Sequence, residues 1–310
     1  MSVPEVAVRA SALTRSFGAR VAVRNLSIAL HRGEIVALLG PNGAGKTTTL
    51  RMLAGLIPPS SGTVELEGVP LQAKSSDALR RRVGLLTESP GLWDRLSVHM
   101  NLVTYARLYG LPNPQESVAR ALAMVALTDR RRDVAGALSK GLRQRLALAR
   151  ALMHAPAIVL LDEPTSGLDP ANARHVRDLI ASLRREGRAL LVSTHNLHEA
   201  EELADRIAVL NTDLLADASP SVLRQRVTGM HVDIEVDGPG EQWQKHLPTF
   251  VEGTHITGST LSVTLASSDQ VPDVVASLVT GGARVRRVVP RERTLEEVYL
   301  SLVGDIEGVA

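Results

Sequence analysis

The 310 residues are 44% hydrophobic and 22% charged, an ordinary globular balance that allows one large or two unequal domains with a sizeable core. The net charge is +2 and the isoelectric point about 9.2, yet no dense Lys/Arg block occurs, so no nucleic-acid partner is expected. The absence of cysteine excludes disulfide scaffolds and thiolate metal sites and fits a reducing compartment. The first residues lack a signal-peptide pattern, and no window reaches the ~18–20 apolar residues of a membrane span.

In chain order, Val6 and Val8, then Val21, Val23, Leu26, Ile28 and Leu30, alternate with polar residues and predict half-buried antiparallel strands. The run 34–39 is continuously apolar after Glu34, as in a strand covered on both faces. A glycine-rich turn follows, then a helical pattern of Leu50, Leu53 and Leu56/Ile57, stopped by Pro58-Pro59-Ser60-Ser61-Gly62. Residues 90–155 read as mostly helical, broken at Pro112-Asn113-Pro114. Buried strands are expected at 157–161 and 189–193, with a helix at 171–185 between them. Such alternation predicts an α/β fold on a parallel sheet, with the helical block inserted into it.

After Val227-Thr228-Gly229 the texture changes. Strict alternation at 231–236 and 261–265, a strand candidate at 285–289, and helical patterns at 271–278 and 295–302 predict a small α+β domain. The expected division is 1–228 and 229–310.

Gly40-Pro41-Asn42-Gly43-Ala44-Gly45-Lys46-Thr47 matches the phosphate-loop pattern in full. Glycines let backbone N–H groups curl around phosphate oxygens, and the following helix turns its positive end toward them. Lys46 is expected to reach the β- and γ-phosphates, Thr47 to ligate Mg²⁺ and Thr48 to bond the α-phosphate. The strand 158–161 ends in Asp162-Glu163, which assigns Asp162 to Mg²⁺ and Glu163 to the general base on the attacking water. His195 closes the next buried strand, at the end where α/β sheets bind ligands, and is expected to sense the γ-phosphate.

Between these motifs lies Leu138-Ser139-Lys140-Gly141-Leu142-Arg143-Gln144-Arg145, leading into an Ala/Leu/Arg helix. A Ser and a Gly at a helix N-terminus offer a hydroxyl, N–H groups and a dipole to an anion. The segment resembles the signature motif of ABC ATPases, and the resemblance spans roughly residues 3–228. It implies a P-loop NTPase core with an antiparallel β subdomain and a helical subdomain. It further implies that Phe17 stacks on adenine, that Glu88 occupies the Q-loop as a metal ligand, and that Ser166-Gly167-Leu168-Asp169 is the D-loop. Two chains would pack head to tail, Ser139 and Gly141 of one facing the nucleotide of the other.

Lys140 and Leu142 depart from the commoner signature, and Glu88 replaces the commoner Q-loop glutamine. Both variants, and the tail Arg291-Glu292-Arg293-Thr294-Leu295-Glu296-Glu297-Val298-Tyr299-Leu300, are similar to the ATPases of ABC-2-type exporters, including daunorubicin-resistance-like ones. The resemblance implies a MgATP-hydrolysing homodimer, peripheral on the inner face of the cell membrane and energising a separate permease. Ser89-Pro90-Gly91-Leu92-Trp93-Asp94-Arg95-Leu96 is expected to form part of the permease-facing surface. The alternative is a soluble mechanical ATPase acting on ribosomes or DNA. A single cassette, with no long coiled coil between cradle and signature, speaks against it. A regulatory nucleotide binder that hydrolyses little is disfavoured by Glu163, His195 and a complete signature.

Overall fold

The computed structural model describes residues 5–72, 77–89, 91–226, 230–291 and 294–307. Pro90 of the expected permease-facing segment, the texture change at 227–229, and residues 292–293 of the tail motif lie outside them. The described chain forms two compact units, Met1–Ser219 and Pro220–Ala310.

In the first unit, the alternation at the start produces β1 (Val6–Phe17) and β2 (Arg20–His31), paired antiparallel with several register shifts. They join β4 (Ser61–Leu66) and β5 (Val69–Pro70) in a sheet of order β2-β1-β4-β5. A second sheet is built from β3 (Ile35–Leu39), β6 (Val83–Leu86), β7 (Ile158–Asp162), β8 (Ala189–Thr194), β9 (Arg206–Asn211) and β10 (Asp213–Ala218). Among the described residues its order is β10-β9-β3-β8-β7-β6, parallel throughout except for β10 at the edge. Every residue of β3, β7 and β8 is buried, which is why these strands carry unbroken apolar runs.

The helix α1 (Lys46–Leu53) is shorter than the Leu50/Leu53/Leu56 pattern suggested. Gly55 takes the left-handed backbone (φ 67°) just past its end, and Leu56 is left exposed beyond it. A single turn, α2 (Asp77–Arg80), precedes β6. The helical block contains α3 (Val98–Leu108), α4 (Pro114–Met124) and α5 (Lys140–Leu152). Residues 91–97 are irregular rather than helical, and α3 starts where Ser97 caps the N–H of Met100. The remaining helices, α6 (Pro170–Arg185) and α7 (Leu197–Leu203), flank β8. One apolar cluster joins α3–α5 to one face of the sheet through Leu102, Leu122, Leu146, Leu161 and Leu190. Another packs Leu13, Leu26, Leu50 and Leu160 between the two sheets.

The second unit begins at α8 (Pro220–Arg226), which packs against α10 (Leu295–Glu307). The division therefore falls before α8 and not at residue 228. Strands β11 (Met230–Val236), β12 (Gly253–Thr257), β13 (Thr260–Leu265) and β14 (Val285–Arg291) form an antiparallel sheet of order β12-β13-β11-β14. Val232, Ile234, Leu261 and Val263 pack with Val274 and Leu278 of α9 (Val271–Thr280).

Asn101 in α3 is completely buried and knits the irregular segment before it to the helix. Its Oδ1 accepts the N–H of Trp93 (2.9 Å), and its Nδ2 donates to the carbonyls of Trp93 (3.0 Å), Leu96 (3.3 Å) and Ser97 (3.1 Å). Asn101→Leu keeps the branched shape but orphans these groups, which should cost about 1–3 kcal/mol. Thermal melts in a Trp243→Phe background should fall by several degrees, with Trp93 emission shifted to the red. An unchanged melt and spectrum would mean that these bonds do not hold the segment.

Candidate active site

Strands β3, β7 and β8 run parallel and side by side, so their carboxyl ends open on one edge of the sheet. Ligands of open α/β sheets bind at that edge. From β3 the chain enters the loop 40–45, where Gly43 and Gly45 have φ of 86° and 103°. A Cβ on Gly45 would lie 2.3 Å from the carbonyl oxygen of Ala22, and one on Gly40 would lie 2.2 Å from that of Leu210. Only glycine fits a loop wedged this closely between β2 and β9.

Lys46 opens α1 and is 7% exposed. Its Nζ donates to the carbonyls of Gly40 (2.6 Å) and Pro41 (3.2 Å) and stands 3.6 Å from Oε1 of Glu163. At the end of β7, Asp162 is buried and accepts one hydroxyl on each oxygen. Thr47 Oγ1 donates to Oδ2 (2.8 Å) and Ser193 Oγ to Oδ1 (2.5 Å).

Glu163 then takes the left-handed backbone, φ 48°, a conformation that costs a non-glycine residue about 1–2 kcal/mol. It is held there by its N–H, which donates to the carbonyl (3.1 Å) and the hydroxyl (3.2 Å) of Ser193. The turn brings its Oε2 within 2.9 Å of His195 Nδ1. The carboxylate thus has the Lys46 ammonium near one oxygen and the imidazole on the other.

These groups line a cavity of about 630 Å³ together with Phe17, residues 41–48 and Glu88. That volume suits a ligand of nucleotide size. Phe17 is 49% exposed, with the Arg15 guanidinium 4.7 Å from its ring centre. Ser139, Gly141 and Asp169 are not among the lining residues. They form a second cluster. Ser139 caps α5, accepting the N–H of Leu142 (3.4 Å), and a Cβ on Gly141 would press 2.7 Å from the Asn172 side chain. Asp169 caps α6 and accepts the backbone N–H (3.0 Å) and side-chain amide (2.5 Å) of Asn172. Those donors, the backbone N–H foremost, hold its carboxyl below the usual carboxylate range. Gln144 ties this cluster to the first, donating to the Pro164 carbonyl at 3.0 Å, one residue past Glu163.

Two lining residues, Arg20 and Ala22, escaped the sequence reading, and Ser166, the first residue of the D-loop segment, lines the cavity although Asp169 does not. Arg20 follows the turn after Phe17, and its guanidinium lies 3.2 Å from where a Gly43 Cβ would stand. No motif marks it. Ser193 was read only as part of a buried strand, although a polar Ser-Thr-His ending on an apolar run is a detectable signal.

The family model described as "ABC transporter" matches residues 23–166. The chain is 35% identical over 302 residues to an uncharacterized ABC transporter ATP-binding protein, YhcH of Bacillus subtilis, covering 94% of each chain. It is 36% identical over 295 residues to the Nod factor export ATP-binding protein I of Burkholderia lata, again covering 94% of each. The chain belongs to the ABC transporter ATP-binding proteins. It is an ATPase, and its fold agrees. The dimeric ATP-binding cassette MJ0796, solved in a post-hydrolysis state with ADP and Pi, superposes with a TM-score of 0.62. That match has 25% identity and covers 68% of this chain and 98% of the cassette.

In this ATPase, replacing Phe17 by alanine removes an aromatic face from the cavity. The Michaelis constant for ATP should rise about 2–10-fold at similar turnover, the range expected for one aromatic stack. Steady-state kinetics decide it, and an unchanged constant would remove Phe17 from the binding surface.

Proposed function

We propose that this ATPase is the energy subunit of an ABC-2-type exporter, working as a head-to-tail homodimer on a separate permease at the inner face of the membrane. The observation that carries the dimer is the split between the two clusters. One chain's cavity has the cradle, the acid pair and the imidazole, while Ser139, Gly141 and Asp169 lie outside its lining. A helix start with a capping serine hydroxyl and a glycine is suited to an anion, and a second copy turned end to end would bring one to each nucleotide.

The proposed chemistry uses each group in place. Lys46 exchanges its carbonyl partners for β- and γ-phosphate oxygens, held by the N–H groups of residues 42–48. That exchange leaves Glu163 Oε1 free to accept a proton from water, whose oxygen attacks the γ-phosphorus. The bond from phosphorus to the β–γ bridging oxygen breaks, ADP departs with the electron pair, and the proton passes on to phosphate. His195, donating from Nδ1 to Oε2, orients the base and turns its other ring nitrogen to the γ-phosphate side of the cavity. Phe17 stacks on the adenine.

Thr47 and Asp162, two hard oxygen donors 2.8 Å apart, fit Mg²⁺. Glu88 adds a third oxygen donor to the lining. When bound, the ion neutralises charge on the β- and γ-phosphate oxygens.

Two further observations support the transporter reading. Relatives named for Nod factor export align over nearly the whole chain, which favours outward transport. Among the described residues no helix is long and apolar enough to cross a membrane, so a second protein would supply the path. A groove of about 470 Å³ beside β6 and α3 offers that protein a surface, with Leu56 and Leu108 exposed at its walls. Trp93, 41% exposed and stacked on Tyr105 at 4.7 Å, lies in the adjoining segment.

Glu163→Gln should retain ATP binding, lose turnover by about 10²–10⁴-fold and become an ATP-dependent dimer by light scattering. A variant that stays monomeric in saturating MgATP would sink the composite site. Tagged Glu163→Gln, pulled from detergent-solubilised native membranes with MgATP, should bring down a polytopic membrane protein. Recovery with ribosomes or DNA instead would replace the transport reading by that of a soluble mechanical ATPase. The paired change Leu56→Glu and Leu108→Glu should abolish the membrane capture at unchanged soluble ATPase rate. Continued capture would move the docking surface elsewhere.

A further inference from the structure

Glu199 of α7 is 3% exposed and takes no part in the chemistry above. A buried carboxylate is tolerated only where donors replace water. Each of its oxygens accepts one hydroxyl: Thr165 Oγ1 donates to Oε1 (2.6 Å) and Thr194 Oγ1 to Oε2 (2.8 Å). Thr165 stands two residues after Glu163, and Thr194 immediately precedes His195. One carboxylate therefore bridges the loop that leaves the base and the strand end that presents its imidazole partner.

Helix capping does not account for this carboxylate. Asn196 caps α7, its side chain accepting the N–H of Glu199 at 3.1 Å. In a capping box the acid at Glu199's position would reach back to the N–H of Asn196. That N–H instead donates to Thr194 Oγ1 (3.0 Å), and the Glu199 carboxylate turns to the two threonines. Meanwhile the Pro164 carbonyl accepts from Gln144. Both residues that follow the left-handed Glu163 are thus fixed by separate side chains.

We propose that Glu199 is a positioning residue for hydrolysis. By holding Thr165 and Thr194 together it sets the 2.9 Å contact between Glu163 and His195, and through it the rate of the chemical step. The inference rests on the reading of Glu163 as the general base. It predicts an effect on turnover without an effect on nucleotide affinity, since Glu199 is absent from the lining of the nucleotide cavity.

The test is steady-state ATPase kinetics and ATP affinity of the full chain for Glu199→Ala, Glu199→Gln, Thr165→Val and Glu163→Gln. Glu199→Ala should lower kcat about 10–100-fold, as for a reacting group displaced by a fraction of an ångström to one ångström. KM should stay within about threefold, the pattern of a lost transition-state interaction. Glutamine keeps an acceptor for one threonine, and the hydroxyl of the other can accept from its amide. Glu199→Gln should therefore restore most of kcat. Unchanged kcat in Glu199→Ala, a loss matched by weakened ATP affinity, or glutamine as poor as alanine would each overturn the proposal. Should the alanine variant fail to fold by circular dichroism, Thr165→Val decides, because it removes one bond and leaves the Thr194 bond. Reduced kcat at normal KM supports the bridge, and wild-type kcat overturns it. Glu163→Gln separates the two readings. Wild-type hydrolysis there removes the base itself, whereas an inactive Glu163→Gln beside a fully active Glu199→Ala removes only the coupling.

Discussion

Asp162 accepts hydroxyls from opposite sides, Thr47 at the head of α1 and Ser193 near the end of β8, and the geometry of the site depends on that clamp. Two hydrogen bonds to an ionised acceptor are among the stronger contacts available in a protein interior. They fix the phosphate-loop helix against the central strands. They also hold the Ser193 hydroxyl where it can accept the N–H of Glu163, so the strained residue beside the clamp inherits its position. Without the buried sheet behind it this clamp would not be aimed, because Asp162 and Ser193 lie at the ends of strands that packing has already placed.

The large parallel strands were legible because burial on both faces demands continuous apolar runs, and 34–39, 157–161 and 189–193 stand out for that reason. The phosphate loop was legible from its glycines, whose necessity is visible in the 2.2–2.3 Å approaches at Gly40 and Gly45. Less legible were β4 and β5, where Ser61-Gly62-Thr63 opens a strand with turn-forming residues and only Val64 and Leu66 are buried. β6 is a four-residue strand too short for periodicity to register. The end of α1 was overestimated because Leu56 continues the helical spacing past a glycine that closes the helix.

Of the cavity lining, residues that belong to a sequence motif were readable, whereas those recruited by tertiary approach were not. Arg20 is one arginine among many until the β1–β2 hairpin lays it beside Gly43. Nothing local marks Glu163 as left-handed, since glutamate has no preference for that region and only the bonds to Ser193 explain it. Glu199 reads as one more acid in an acidic helix start. Its burial against two threonines is a property of two separated segments meeting, the loop after β7 and the stretch 194–199.

The bond from Gln144 to the Pro164 carbonyl joins the helix headed by Ser139 and Gly141 to the backbone just beyond Glu163. In a head-to-tail pair, the first belongs to one reaction centre and the second to the other. Each polypeptide would then be a short rigid lever spanning two active sites, so that loss of the terminal phosphate on one side alters the strain borne by the base on the other. Turnover at the two sites would become a matter of timing between them, and a mixed dimer with one inactivated base would fall well short of half the normal output.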